Sequence, residues 1–361
     1  MRTQQRPCTP SVRRKNNKNR AGQMPRRFYG SIMERTVWNA YKKFRCIAAS
    51  CPDSCCKDWE VDVDEKAAES YRNLSGDLGD RLRQVMKVED GETAMILEQG
   101  CCPMWRQDGL CRIQAELGHD ALCQVCREFP RLHQDYGDFA QWGLELSCPE
   151  AARLIFEDMG VTTESAPGGS APEYDRELMD ILLHSREEIL AFWENTHMSV
   201  PEGLAVMLLY AYQVQGALDG GEYVSLAPEK CLHTARGFAG AADAEKLLAF
   251  FKALEILTDR WRERLSNPHK GSWDTRLKLL AIYFVRRYWL QAVWDFDLTC
   301  RVKFAVAACL VVNLLGGDPV ETAQLFSKEI ENDPDNVNSI LDGAYTAPAL
   351  TDANILGLLF A

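Results

Sequence analysis

Apolar residues recur at three- and four-residue spacing through most of the second half of the chain, over residues 174–194, 201–218, 243–264, 274–295, 299–315 and 320–331. That period predicts helices, punctuated by Gly220-Gly221, Asn267-Pro268 and Gly316-Gly317. The most apolar run, Phe304 to Leu315, is about twelve residues long and is interrupted by Asn313, against roughly twenty needed to cross a bilayer. It reads as a buried helix, and no membrane partner is expected. No period marks a solenoid.

The first half is patterned differently. Residues 62–74 and 80–88 are helix-like, 93–98 is a short strand candidate and 139–146 alternates as a strand does. Asp108-Gly109 between apolar flanks predicts a hairpin over 105–113, which would bring Cys102 and Cys111 near each other. Ser147-Cys148-Pro149-Glu150 matches a capping box, opening a helix through about Met159. Gly, Ser and Pro dominate residues 165–172, which read as a linker.

Charge changes the picture at one end. Residues 1–33 hold nine Lys or Arg and no acid, so the formal charge of -11 becomes -20 over the remainder (32 basic against 52 acidic residues). The leader reads as disordered, and Met24 or Met33 is an alternative start. No apolar segment follows it as in a secretory signal, so the cytoplasm is the expected compartment. An acidic body is a poor partner for nucleic acid and suits a lysine-bearing protein substrate.

Cysteine carries the chemistry. Ten of the fourteen cysteines lie between Cys46 and Cys148. A reducing compartment and a chain long enough for a large core argue against a disulfide framework and for thiolates on zinc or iron. Cys231, Cys300 and Cys309 sit in apolar helical runs and read as buried free thiols. Cys123-Gln-Val-Cys126 has the spacing of a zinc knuckle, whereas the adjacent Cys55-Cys56 cannot readily share one small tetrahedral ion and suits a larger cluster. The capping box would put Cys148 at the first helical position, where the helix dipole favours a thiolate. Arg127 and Arg131 could offset cluster charge or hold a carboxylate; Trp59, Trp105 and Trp142 could wall the site from water. The architecture expected is mainly α: a cysteine-rich metal-binding module with short hairpins over 34–164, the linker, and an α-helical domain over 173–361.

Several chemistries find no support. There is no G-x-G-x-x-G between a strand and a helix. The Cys51-x3-Cys55 spacing does not extend into the loop of radical S-adenosylmethionine enzymes, because Asp58 stands where its third cysteine would. No histidine pair has metal-ligand spacing, and His119 and His133 are expected to be exposed.

In Phe44-Arg-Cys-Ile-Ala-Ala-Ser-Cys51, Asp53-Ser-Cys-Cys-Lys-Asp-Trp59, Cys102-Pro-Met-Trp105, Asp108-Gly-Leu-Cys-Arg-Ile113, Cys126-Arg-Glu-Phe-Pro-Arg131 and Leu146-Ser-Cys-Pro-Glu-Ala-Ala-Arg153 the chain resembles the flagellin lysine-N-methylase family. That family is related to small proteins with a CxxCxxCC-type cluster. The likeness continues through Ile282-Tyr-Phe-Val-Arg-Arg287 and Ser327-Lys-Glu-Ile-Glu331 with Asn336. It implies methyl transfer from S-adenosylmethionine to lysines of flagellin, with an iron–sulfur centre, 4Fe–4S or with zinc as the alternative. The thiols it carries over are Cys46, Cys51, Cys55, Cys56, Cys102, Cys111, Cys126 and Cys148; Cys101 and Cys123 fall outside its pattern. Eight exceeds the four ligands of one 4Fe–4S cluster, so some bind a second metal or pack. Tyr283, Glu329 and Glu331 lie in family-like stretches and are the candidates for deprotonating the substrate amine. An iron–sulfur redox or metal-carrier protein and a non-catalytic zinc module on a helical interaction domain are the readings from other classes.

Overall fold

The computed structural model describes residues 32–361 apart from Asp90 and Ala241. The basic leader lies outside the described residues, save its last two, Ile32 and Met33, which open the first strand. The chain is mainly α, with two small sheets. Its strands are β1 (Ile32–Trp38), β2 (Val61–Asp62), β3 (Met86–Glu89), β4 (Glu92–Met95), β5 (Arg131–Asp135), β6 (Phe139–Leu144) and β7 (Val161–Pro167). The larger sheet runs β5-β6-β1-β7, with β1 parallel to β6 and antiparallel to β7; β5 and β6 form a hairpin. The smaller runs β2-β4-β3.

Helices in the first half are α1 (Asn39–Lys43), α2 (Glu65–Asn73), α3 (Asp77–Val85), α4 (Arg112–Leu117), α5 (Gln124–Glu128) and α6 (Pro149–Ile155). The second half holds α7 (Arg176–Asn195), α8 (Val200–Leu218), α9 (Pro228–Arg236), α10 (Ala244–Lys252), α11 (Asp259–Ser266) and α12 (Leu277–Tyr288). After them come α13 (Thr299–Leu315), α14 (Pro319–Phe326), a π-helical turn over Ser327–Glu331, α15 (Pro334–Thr346) and α16 (Asp352–Leu359). Every residue of α13 is buried, which explains its lack of a polar face: it is the central helix that others surround. Among the described residues no helix is long and apolar enough to cross a membrane.

Two cores result. A small one gathers Val61, Tyr71, Leu82, Met95, Met104 and Ile113 beneath the first cysteine loops. The large one runs from Trp38, Phe44 and Leu146 through α6 into α7, α8, α12 and α13. The stretch expected as a linker therefore does not lie between these cores: residues 165–167 belong to β7, paired with β1 from Ile32 to Glu34.

Cys309, expected to be a packing residue, is fully buried in α13. Cys309→Ala is expected to lower stability by about 1 kcal/mol through a small cavity, read as a shift in the thermal midpoint.

Candidate functional site

Strand order explains why distant cysteines meet. Because β1 and β6 are parallel, their C-terminal ends lie at the same edge of the sheet. Cys46 follows β1 after α1, and Cys148 follows β6. Strand β5, antiparallel to β6, begins at that edge with Arg131 opposite Leu144, so α5 with Cys126 arrives there too. The Glu145 N–H donates to the Pro130 carbonyl at 2.8 Å and fastens the two ends.

A second scaffold brings the remaining thiols. The Cys102 and Asp58 N–H groups donate to the carbonyls of Cys56 and Gly100, both at 2.8 Å, zipping the 55–58 loop onto 100–102. The hairpin expected around Asp108-Gly109 forms, with Trp105 bridged to Cys111. Gly109 has φ +80°, and a Cβ there would come within 3.3 Å of the Ala49 Cα, so glycine suits both the turn and the close approach of the 48–50 turn. Asp64 caps α2 through the Ala67 N–H at 3.1 Å and also accepts from the Gln124 N–H at 2.7 Å, holding α5 in place.

Cys46, Cys51, Cys55, Cys56, Cys111, Cys126 and Cys148 line one cleft of about 440 Å³. None of the described cysteines is in a disulfide, and Cys231, Cys300 and Cys309 lie apart, buried in the helical half. Cys102 does not line the cleft; it is buried in the small core behind it. Cys123 sits beside Cys126 and shares a hydrogen bond with it. Among the described residues no group of three or more His, Cys, Asp or Glu is set to hold a metal ion; the thiols border a cleft.

Their acidities differ. The hydrogen bond between Cys55 and Cys56 lowers Cys55 to about 7, helped by Lys328, and the same bond raises Cys56. Burial pushes Cys102 up to about 11 and Cys148 up to about 12. Cys148 is the N-cap of α6, one position before that expected, with Pro149 first in the helix. The capping box does not form: the Ser147 hydroxyl lies 3.5 Å from Glu145, and Glu150 pairs with Arg153. The N–H groups of Glu150 and Ala151 favour the Cys148 thiolate, as a helix terminus should, but burial outweighs them and no side-chain cap bond is formed.

The helical half reaches into this loop. Lys328, 2% exposed, bridges Asp53 at 3.1 Å and Asp58 at 2.8 Å. Gln324 donates to Asp53 and to the Ser147 carbonyl, the latter at 2.7 Å. The π turn splits the directions of successive side chains: Lys328 faces the cysteine loop, Glu329 accepts from the Leu257 and Thr258 N–H groups ahead of α11, and Glu331 enters the core. π turns recur at functional sites.

Other expected residues distribute unevenly. Arg131 lines the cleft, with its guanidinium 5.2 Å from the Phe44 ring centre. Arg127 does not; it donates to the Leu122 carbonyl just ahead of α5. Trp59 and Trp105 wall the cleft, the latter under Lys57 at 4.2 Å, whereas Trp142 packs on Tyr41, His133 and Arg35 in the sheet. His119 and His133 are exposed, and His119 reaches the cleft rim. Glu329 is occupied by its capping bonds. Glu331, 1% exposed, accepts from Tyr288 at 2.7 Å and Tyr283 at 3.1 Å and pairs with Arg287 at 3.0 Å; neither it nor Tyr283 borders the cleft. Lys328, Asp53 and Glu145 are not among the residues expected from sequence. A lysine in a buried apolar helix and a glutamate in an alternating strand are the signals that could have marked the first and the last.

Comparison with curated proteins joins this geometry to known relatives. The chain is 32% identical over 122 residues to the "Flagellar biosynthetic protein FliU" of Salmonella muenchen, covering 32% of this chain and 72% of that protein. The chain belongs to the flagellin lysine-N-methylase family. Other family members matched are "Lysine-N-methylase" of Salmonella typhimurium, 32% identical over 123 residues (32% of this chain, 31% of that protein), and "Lysine-N-methylase" of Salmonella choleraesuis, 32% identical over 122 residues (32% and 30%). The chain thus spans about a third of the length of these two relatives. No protein-family model matches the chain, and no solved structure does.

Proposed function

We propose that this chain is a protein-lysine N-methyltransferase that acts on flagellin, taking its methyl group from S-adenosylmethionine, with an iron–sulfur cluster held in the cysteine cleft. The observation that carries the reading is the convergence of seven thiols from separate stretches of the chain on one cleft, in a chain whose relatives are named lysine-N-methylases.

The donor set suits the cluster in kind. Soft thiols dominate, and the adjacent Cys55-Cys56 is a poor pair for one small tetrahedral ion but acceptable for a polynuclear centre. Cys46, Cys51, Cys55, Cys56, Cys111, Cys126 and Cys148 are the residues that would hold it, some of them at a second metal. Bound there, the cluster would supply a soft, electron-rich surface that orients the methyl donor. The protein's own groups would do the rest. Arg131 faces the cleft and suits the carboxylate of the donor. Trp59, Trp105 and Phe129 exclude water, which strengthens every charge interaction inside.

Anaerobically purified protein incubated with S-adenosylmethionine and flagellin is expected to add methyl groups to lysine, seen as methyl increments in the intact mass of flagellin. Iron and acid-labile sulfide should accompany the protein. Unchanged flagellin mass with the metal centre intact would sink the methyltransferase reading; zinc in place of iron and sulfide would sink the iron–sulfur portion alone.

A further inference from the structure

A second cavity, of about 370 Å³, adjoins the thiol cleft and shares Cys55, Trp59, Cys126, Phe129 and Arg131 with it. Its charged lining is Glu60, Asp62, Glu128 and Glu145 against the single cation Arg131. Trp59 and Phe129 lie together on its wall, ring centres 5.9 Å apart. At its inner end Glu145 is 22% exposed and meets Arg287 only at 4.0 Å, because Arg287 is already committed to Glu331 at 3.0 Å. Glu145's other partner is the Ser147 hydroxyl at 3.5 Å. Two shielded carboxylates thus share one guanidinium, which leaves a negative charge uncompensated where desolvation is costly. The side-chain nitrogen of Asn332, on the same cavity, is buried without a hydrogen-bond partner.

We infer that this second cavity receives the substrate's lysine side chain, its amine directed to Glu145 and its alkyl stem lying along Trp59 and Phe129. The inference rests on the methyltransferase reading for the identity of the cation; the need for a cation follows from the charge count. A primary ammonium satisfies the unmatched carboxylate, and aromatic faces suit both its methylenes and its charge. Entry from the outer, acidic rim brings the amine toward the wall shared with the thiol cleft, where a sulfonium methyl would be presented.

Proton balance gives Glu145 a second task. The ammonium must lose a proton to Glu145 before its lone pair can form the N–C bond; as that bond forms the S–C bond breaks, its electron pair leaves on the thioether sulfur, and the product is the N-methylammonium. Burial holds the Glu145 carboxyl above the usual carboxylate range, against the opposing pull of Arg287, which makes it a better acceptor than an exposed glutamate. Glu331, though carboxylate in kind, is saturated by two tyrosines and Arg287 and is not free to take the proton.

The test uses full-length protein with its metal and two probes, Nα-acetyl-lysine amide and its uncharged isostere Nα-acetyl-norleucine amide, with binding followed by saturation-transfer NMR without a methyl donor. The lysine probe should bind saturably and at least tenfold more tightly than the norleucine probe. Glu145→Gln should lose at least tenfold of the lysine affinity, and Glu145→Asp should recover some of it. Equal affinity for both probes in the unaltered protein overturns the inference, and that comparison stands even where Glu145→Gln does not fold. A folded Glu145→Gln that binds lysine amide normally also overturns it. Protein that prefers lysine amide but leaves flagellin unmodified keeps the pocket and sinks the methyltransferase reading; protein that methylates flagellin while binding both probes equally does the reverse.

Discussion

Lys328→Met is expected to lower stability by about 3 kcal/mol and to empty the cysteine cleft of the cluster proposed there. The lysine is 2% exposed and neutralises Asp53 and Asp58 together, with the Trp59 ring centre 5.3 Å from its Nζ. Removing one partner of a buried ion pair leaves charge without compensation and costs about 3–5 kcal/mol. The lower end applies here because Asp53 and Asp58 are 21% and 33% exposed and regain some water. Two aspartates left unpaired beside Cys55 and Cys56 repel each other and any thiolate cluster, so the loop should leave the helical half. Denaturant unfolding and iron content measure the two effects. Adding Asp53→Asn and Asp58→Asn to Lys328→Met should restore some of the stability, since the charges and not the contacts are at fault. An unchanged unfolding midpoint in Lys328→Met would show that the bridge contributes nothing.

The helical half is largely legible in the sequence because most of its helices bury an apolar stripe, and α13, buried on every side, is the most apolar run. The 299–315 run forms α13, and 201–218 falls within α8. The expected helix 243–264 divides over residues 253–258, where Thr258 caps α11 through the Trp261 N–H, and 274–295 tightens to a 3₁₀ turn at Trp289. Strands β1, β5 and β7 leave no such mark. Each is short, with mixed burial and no clean alternation, and the parallel pairing of β1 with β6 joins residues about a hundred positions apart, which no local pattern encodes.

The site divides in the same way. Cysteine identity and number point to the cleft, but which thiols border it depends on topology: Cys102 turns inward to the small core and Cys123 joins Cys126. Arg127 and Arg131 look alike in sequence, yet only the one at the start of β5 faces the cleft. Glu145 shows in sequence only as a glutamate in an alternating stretch; its meaning comes from Arg287, more than a hundred residues on, being claimed by Glu331.

On the proposed cluster, Cys126→Ser and Cys148→Ser are each expected to remove most of the metal and its visible absorption, while Cys101→Ser leaves both near wild type. A serine hydroxyl neither ionises near neutral pH nor offers a soft donor, so it keeps the side chain's shape and loses its ligand chemistry. Cys126 precedes and Cys148 follows the β5–β6 hairpin, both at its open end and both bordering the cleft, whereas Cys101 pairs its backbone with Lys57 and Glu98 outside it. Metal binding supplies folding free energy to the region of the protein that forms the site. Here that region includes the small core beneath residues 55–126, which is separate from the large helical core. Loss of metal should therefore expose it to proteolysis while α13 and its neighbours stay folded, a split that limited digestion with mass analysis of the fragments resolves. Full metal content in Cys148→Ser would remove that thiol from the ligand set, and a cleavage pattern like that of the unaltered protein in both variants would show that the small core holds without metal.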